Sequence, residues 1–104
     1  MIVRCFSARA SATNAQTYFS FFKDMLTPKL KMIPGNRGAL VLSRKTDADL
    51  EITVLTFWES LDAISLFAGA NLTKAVIEPE AQALFSSFED EVTLHVVEVD
   101  TLES

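Results

Sequence analysis

The sequence predicts an α+β fold, an antiparallel four-stranded sheet with helices on one face in the ferredoxin-like order β-α-β-β-α-β. Three observations carry this. Four runs rich in β-branched and aromatic residues (2–8, 38–45, 52–58 and 92–99) alternate with stretches of helical period. The middle two runs are separated only by Thr46-Asp47-Ala48-Asp49, a short Asp-rich connection of hairpin type. A chain of 104 residues leaves no room for a second core, so residues 1–104 are read as a single domain.

Each element follows from local chemistry. After the first strand, Ser11, Thr13 or Asn14 can cap a helix whose apolar positions Ala15, Tyr18, Phe19, Phe22, Met25 and Leu26 repeat at helical spacing. Lys23 falls on the solvated side. Thr27-Pro28 is expected to interrupt this helix and begin a second turn, because proline suits a first helical position. Pro34-Gly35 ends the segment. Ser60 caps the helix after the third strand, with Leu61, Ile64, Phe67 and Ala68 inward and Gly69 closing it. Pro79 opens a further helical segment with Ala81, Leu84, Phe85 and Phe88 in register.

Composition narrows the function classes. Nearly half the residues are apolar, with eight Phe, which describes a folded globular protein. The net charge of −5 and the scattered basic residues argue against a nucleic-acid or anionic-membrane surface. No apolar stretch approaches the length of a membrane span, and the N-terminus lacks a signal-peptide core, so a cytoplasmic protein is expected. The lone cysteine, Cys5, fits a reducing compartment and reads as a small buried hydrophobe. One histidine and one cysteine exclude a conventional zinc site, and no phosphate loop or Gly-x-Ser-x-Gly motif is present. The carboxylates from Glu78 to Glu91 read as a solvated acidic stretch.

The strand patterns predict a partner. Ile52, Val54 and Trp58 face one way and Leu55 and Phe57 the other, while Val92, Leu94 and Val96 oppose His95, Val97 and Val99. Both sheet faces are therefore substantially apolar, and two helices cover only one. A homodimer with its sheets packed face to face resolves this.

Trp58, the only tryptophan, closes the third strand just before a helix, where an indole would wall the space between sheet and helices. The run Phe57-Trp58-Glu59-Ser60-Leu61-Asp62-Ala63-Ile64, then Phe67-Ala68-Gly69, Ala75-Val76 and Pro79-Glu80 resembles the antibiotic biosynthesis monooxygenase family of the dimeric α+β barrel superfamily. Pro34-Gly35-Asn36-Arg37-Gly38 and the terminal pattern His95-x-x-Glu98-Val99 fit the same likeness, which spans essentially the whole chain. It implies the fold, the dimer and a pocket beside Trp58. The family holds cofactor-free oxygenases of aromatic polyketides, quinol oxygenases, haem-degrading enzymes and members without a known reaction.

Position by position, the chain departs from two of these groups. The haem-degrading members add a first-strand asparagine and an iron-ligating histidine on the second helix; here the first asparagine is Asn14 and Ala68 stands about where the histidine would be. The anthrone oxygenases place an asparagine four residues before the tryptophan, where this chain has Val54.

Cofactor-free oxygenation asks little of a protein, since a deprotonated phenol or anthrone reduces oxygen itself. The site must bind a flat substrate, favour its anion and exclude water. The resemblance implies cofactor-independent oxidation of a small aromatic or quinol-like molecule, with no metal and no cofactor. Trp58, Phe22 and Phe67 are the candidate substrate-binding residues. His95 is the candidate proton acceptor, and Arg44 or Arg4 the cation facing the enolate. Each has a bland counterpart: His95 at the dimer interface or bonded to a backbone carbonyl, the arginines as snorkelling strand residues, Trp58 as core. A non-catalytic binder or stress-related accessory protein using the same pocket is the alternative, and isomerase or lyase chemistry is a third. Phe67 or Phe85 filling the space beside Trp58 would make the indole a packing residue.

Overall fold

β1 (Ile2–Ala10) is the spine of the computed structural model, which describes residues 1–102. Along its whole length it pairs antiparallel with β3 (Leu50–Trp58), and β3 pairs on its far side with β2 (Asn36–Lys45). Two short strands share the other edge of β1: β4 (Ser87–Phe88) opposite Ala8 and Arg9, and β5 (Thr93–Val96) opposite Ile2 to Cys5. The resulting order, β2-β3-β1 and then β4 and β5 side by side on one edge, is the ferredoxin-like arrangement with its last strand broken in two.

Two expectations are corrected here. The last strand, expected over 92–99, is only Thr93–Val96, and the helix from Pro79 does not reach Phe88, since α4 (Pro79–Gln82) is a single turn. The β1 edge draws the chain away, because Ser86 N–H donates to the Arg9 carbonyl at 2.8 Å and Glu89 N–H to the Ser7 carbonyl at 3.0 Å. Ala83, Leu84 and Phe85 keep turn bonds to α4, and from Ser86 onward bonds to a nine-residue strand replace the helical ones.

The first helical segment is better than its sequence pattern. Ser11 Oγ accepts from Asn14 N–H at 3.1 Å and starts α1 (Ala12–Phe21). A π-helical turn over Phe22–Leu26 follows, and α2 (Thr27–Lys31) continues with αR backbone at Leu26. Pro28 therefore sits in a continuing helix and interrupts nothing, because the wider turn before it relaxes the bonding that proline would break. The extra residue rotates the phase of the stripe. Phe22 and Leu30 stay buried and Leu26 half-buried, whereas Met25, expected inward, faces solvent. α3 (Leu61–Ala68) is capped by Ser60 Oγ, which accepts from Ala63 N–H at 3.1 Å, and Gly69 ends it at φ 78°. Ala63 and Ile64 are its core residues, while Leu61 at its first position is exposed.

All of this covers one sheet face. Arg4, Ala8 and Ala10 of β1 and Ile52, Val54, Thr56 and Trp58 of β3 are buried there, with Tyr18, Phe22, Leu30, Ile64 and Ala81 packed over them. The other face is bare. Leu40, Leu55, Cys5 and Thr93 stand in one row across it, and Phe57, Val3 and His95 in the next. Cys5 is only half-buried on this outer face and not part of the helix-covered core. Leu40 and Leu42 are 44% and 46% exposed. Among the described residues, no helix is long and apolar enough to cross a membrane.

One glycine locks β2 to α3. Gly35 holds φ at 88°, its carbonyl accepts from Glu59 N–H at 2.8 Å, and an added Cβ would lie 2.5 Å from Ala63 Cβ. Gly35→Ala is expected to cost about 2–4 kcal/mol, from left-handed strain together with the clash. Gly38→Ala, at φ 124° with open space around it, should cost only about 1–2 kcal/mol from strain. Urea denaturation of both variants checks the order; equal losses would contradict the packing account.

Candidate functional site

Between sheet and helices lies a cavity of about 450 Å³, inside the usual range for small-molecule sites. Its floor is the sheet: Arg4 and Phe6 from β1, Val54 and Thr56 from β3. Tyr18, Phe22 and Leu26 form one wall, with Leu30 of α2 beyond them; Leu66 and Phe67 of α3 form the other. The segment Val76-Ile77-Glu78, with Ala81 and Phe85, closes the third side. Phe85 packs on Tyr18 at 4.9 Å between centroids and on Phe6 at 6.0 Å. The lining is mostly apolar, with five aromatic rings among it, and suits a flat apolar body.

Arg4 is the outstanding charge. It is 5% exposed, and among the described residues no carboxylate lies within ion-pair distance of it. Its Nε donates to the Leu72 carbonyl at 3.3 Å and its Nη2 to the Lys74 carbonyl. The guanidinium carbon lies 5.4 Å from the centre of the Phe67 ring, a cation–π contact. Burial lowers its pKa to about 10, so it remains charged at neutral pH. A buried cation without a counter-charge is costly, and the cavity beside it is where an anion would relieve that cost.

Two hydroxyls accompany it. Thr56, directly across the ladder from Arg4, is buried, and its Oγ1 accepts from Trp58 Nε1 at 2.9 Å. Tyr18 lines the cavity, and its hydroxyl makes no side-chain hydrogen bond among the described residues and is not sealed from solvent. Burial raises the Tyr18 pKa above its ordinary value, so it stays a phenol and a donor. At the rim, Lys29 Nζ and Glu78 Oε1 pair at 3.6 Å. The deep polar groups are donors, and the only carboxylate is at the mouth.

The expected site residues divide. Arg4, Phe22 and Phe67 line the cavity. Trp58 does not: it is fully buried beneath, with Phe67 packed on it at 5.6 Å between centroids. Phe67 takes the place at the wall that the indole was expected to hold. His95 pairs with Val3 on the bare face, is exposed, and lies 2.8 Å from Thr93 Oγ1 through Nε2. One residue of register puts it on the opposite side of the sheet from Arg4, so it cannot reach the cavity of its own chain. Arg44 is likewise on the outer face, where Nη2 pairs with Glu51 Oε2 at 3.1 Å. Of the proposed cations only Arg4 belongs to the site. Thr56 and Tyr18 were missed. Thr56 could have been found from its i, i+2 relation to Trp58, whereas Tyr18 carries only the signal of a helical core position.

Solved structures share this architecture closely. A protein from Deinococcus radiodurans, provisionally assigned as an antibiotic biosynthesis monooxygenase, superposes with a TM-score of 0.66 at 13% identity over the whole of both chains. The cofactor-independent oxygenase SnoaB from Streptomyces nogalater, in a variant form, gives 0.64 at 19% identity over 98% of this chain and 97% of its own. The fold is that of the antibiotic biosynthesis monooxygenases. The haem degrader MhuD from Mycobacterium tuberculosis shares the fold too, at a TM-score of 0.58 and 18% identity over 97% and 99% of the two chains. No family model matches the sequence, and no curated protein does. Haem does not fit the cavity as a histidine-ligated group, because α3 carries no histidine and His95 faces the other way.

Arg4→Met should separate folding from binding. The substitution removes a buried charge but leaves the Leu72 and Lys74 carbonyls without their donor, so it is expected to cost about 1–3 kcal/mol of stability, while affinity for aromatic anions falls. Differential scanning calorimetry beside ligand titration reads both; unchanged affinity for aromatic anions in the folded variant would mean that Arg4 is a brace alone.

Proposed function

We propose that the chain binds a flat aromatic or quinol-like molecule in this cavity and oxidises it with molecular oxygen, without a cofactor. The observation that carries the proposal is Arg4, a buried guanidinium with no carboxylate partner, at the floor of an aromatic-lined cavity. The ligand binds with its acidic oxygen toward Arg4, so the anion is favoured over the neutral form. For an anthrone the balance is simple. The carbanion R₂CH⁻ gives one electron to O₂ and recombines as R₂CHOO⁻. Protonation and loss of water then give the ketone R₂C=O. One O₂ is consumed per substrate and one oxygen atom ends in water. The walls exclude bulk water from the radical pair.

With His95 on the outer face and Glu78 at the rim, no base sits deep in the cavity among the described residues, so the ligand's proton leaves to solvent on entry. The same observation favours the second reading, a binder that performs no chemistry. An oxygen electrode separates the two, using an anthrone or a naphthoquinol with the spontaneous rate subtracted. The oxygenase reading expects saturable uptake at one O₂ per anthrone, and about a 100-fold loss of kcat/KM in Arg4→Met, the scale of a lost oxyanion donor. Saturable binding with no uptake above the spontaneous rate leaves the binder.

The working unit is a homodimer formed through the bare sheet face, in the cytoplasm, where Cys5 on that face stays reduced. Leu40 and Leu42 lie on its β2 edge, beside Leu55 and Thr53 across the ladder. The double variant Leu40→Lys, Leu42→Lys should run as a monomer by light scattering at concentrations where the parent is a dimer; a monomeric parent contradicts the pairing.

A further inference from the structure

Trp58 has lost its place in the cavity wall but not its connection to it. Its indole N–H donates to Thr56 Oγ1, two residues back on the same strand face, and that is the single donor the indole has. The bond occupies an acceptor site of the hydroxyl and fixes the oxygen's position. The Thr56 O–H finds no acceptor among the described residues, and Thr56 lines the cavity. Across the ladder stands Arg4, in register with Thr56. Directly opposed residues on paired strands hold their side chains about 5 Å apart at Cβ. Two of the five guanidinium N–H groups go to the carbonyls of Leu72 and Lys74, which leaves three.

We infer that Trp58 is a positioning residue: its N–H holds the Thr56 hydroxyl as a second donor beside Arg4, so that the cavity selects an anion carrying two neighbouring oxygens on a flat aromatic body. The inference rests on the proposed ligand class and narrows it. One charged donor and one neutral donor match a carboxylate, or the ionised edge of a 1,3-dicarbonyl, better than a single phenolate oxygen. A ligand with one oxygen satisfies Arg4 and leaves Thr56 unused. This arrangement also explains a fully buried tryptophan under the floor: a bulky residue with one donor supports both the packing and the orientation of the group above it.

Titration calorimetry with three probes at pH 9 tests the inference: 2-naphthoate, the enolate of 2-acetyl-1,3-indandione, and the 6-cyano-2-naphtholate anion as a one-oxygen reference. The wild-type chain should bind at least one of the two-oxygen anions about five- to tenfold tighter than the reference, and the tighter of them identifies which edge fits. Thr56→Val and Trp58→Phe should each weaken that anion about five- to tenfold, one hydrogen bond's worth, and leave the naphtholate within about twofold. The double variant should lose no more than either single one, because the two residues act as a unit. Thr56→Ser should keep wild-type selectivity, and it decides the matter if Trp58→Phe fails to fold. The inference is overturned if neither two-oxygen anion is preferred, if Trp58→Phe weakens all three probes alike, or if serine and valine at position 56 behave the same. Its failure is distinct from that of the oxygenase reading. Selective binding without oxygen uptake removes only the catalysis, and oxygen uptake indifferent to both substitutions removes only this.

Discussion

The buried guanidinium of Arg4 is the constraint around which the cavity is organised. Hydrogen bonds to the carbonyls of Leu72 and Lys74 tie a stretch with little regular structure to the middle of the sheet. A single bridge between Lys74 and Glu91 and the bond from Ala75 N–H to the Asp90 carbonyl fasten it further along. That tether positions the following residues, Val76 to Glu78, as the third wall. A neutral residue at position 4 could fill the same space, but it could not hold two carbonyls and still offer donors to a ligand. The charge therefore serves the architecture and the chemistry together.

The space itself comes from what the helices leave unfilled. The π-helical turn at Phe22–Leu26 keeps Phe22, Leu26 and Leu30 directed at the sheet across a helix that contains a proline. Large rings around the cavity meet at tilted and edge contacts, Phe85 with Phe6 and Tyr18 and Tyr18 with Phe22, which hold the walls apart more firmly than flexible aliphatic chains would. The mouth is apolar as well: Met32 and Leu66 are 84% and 64% exposed, beside the Lys29–Glu78 pair. An apolar ligand body can thus meet compatible surface before it reaches the charge.

Most of the fold was legible because it depends on period and punctuation. Ser11 and Ser60 as caps, Gly69 as a stop, the Thr46–Asp49 turn and the strand alternation are local signals, and the structure uses each of them. Phase was less legible. Met25 turned outward because one π turn shifts the stripe, and a proline that reads as an interruption sits inside a continuous helix. The last strand split because of an edge that only tertiary pairing reveals. For the site, the residue types were informative and their faces decided the outcome. Arg4 and Arg44 are both strand arginines, yet one lies under the helices and the other on the bare face beside Glu51. His95 has the right chemistry on the wrong side. Thr56 has no conspicuous signal of its own and matters only through Trp58 and Arg4.

The central claim is that Arg4 makes this cavity a receptor for an anion. Competition between 2-naphthoate and its uncharged methyl ester, measured by calorimetry at pH 7 on the parent chain and on Arg4→Met, addresses it directly. In the parent chain the carboxylate is expected to bind at least tenfold tighter than the ester. In Arg4→Met that preference should disappear, with the ester's affinity little changed. Equal affinity for acid and ester at pH 7 would contradict it, and would make Arg4 a brace for the Leu72–Lys74 segment and nothing more.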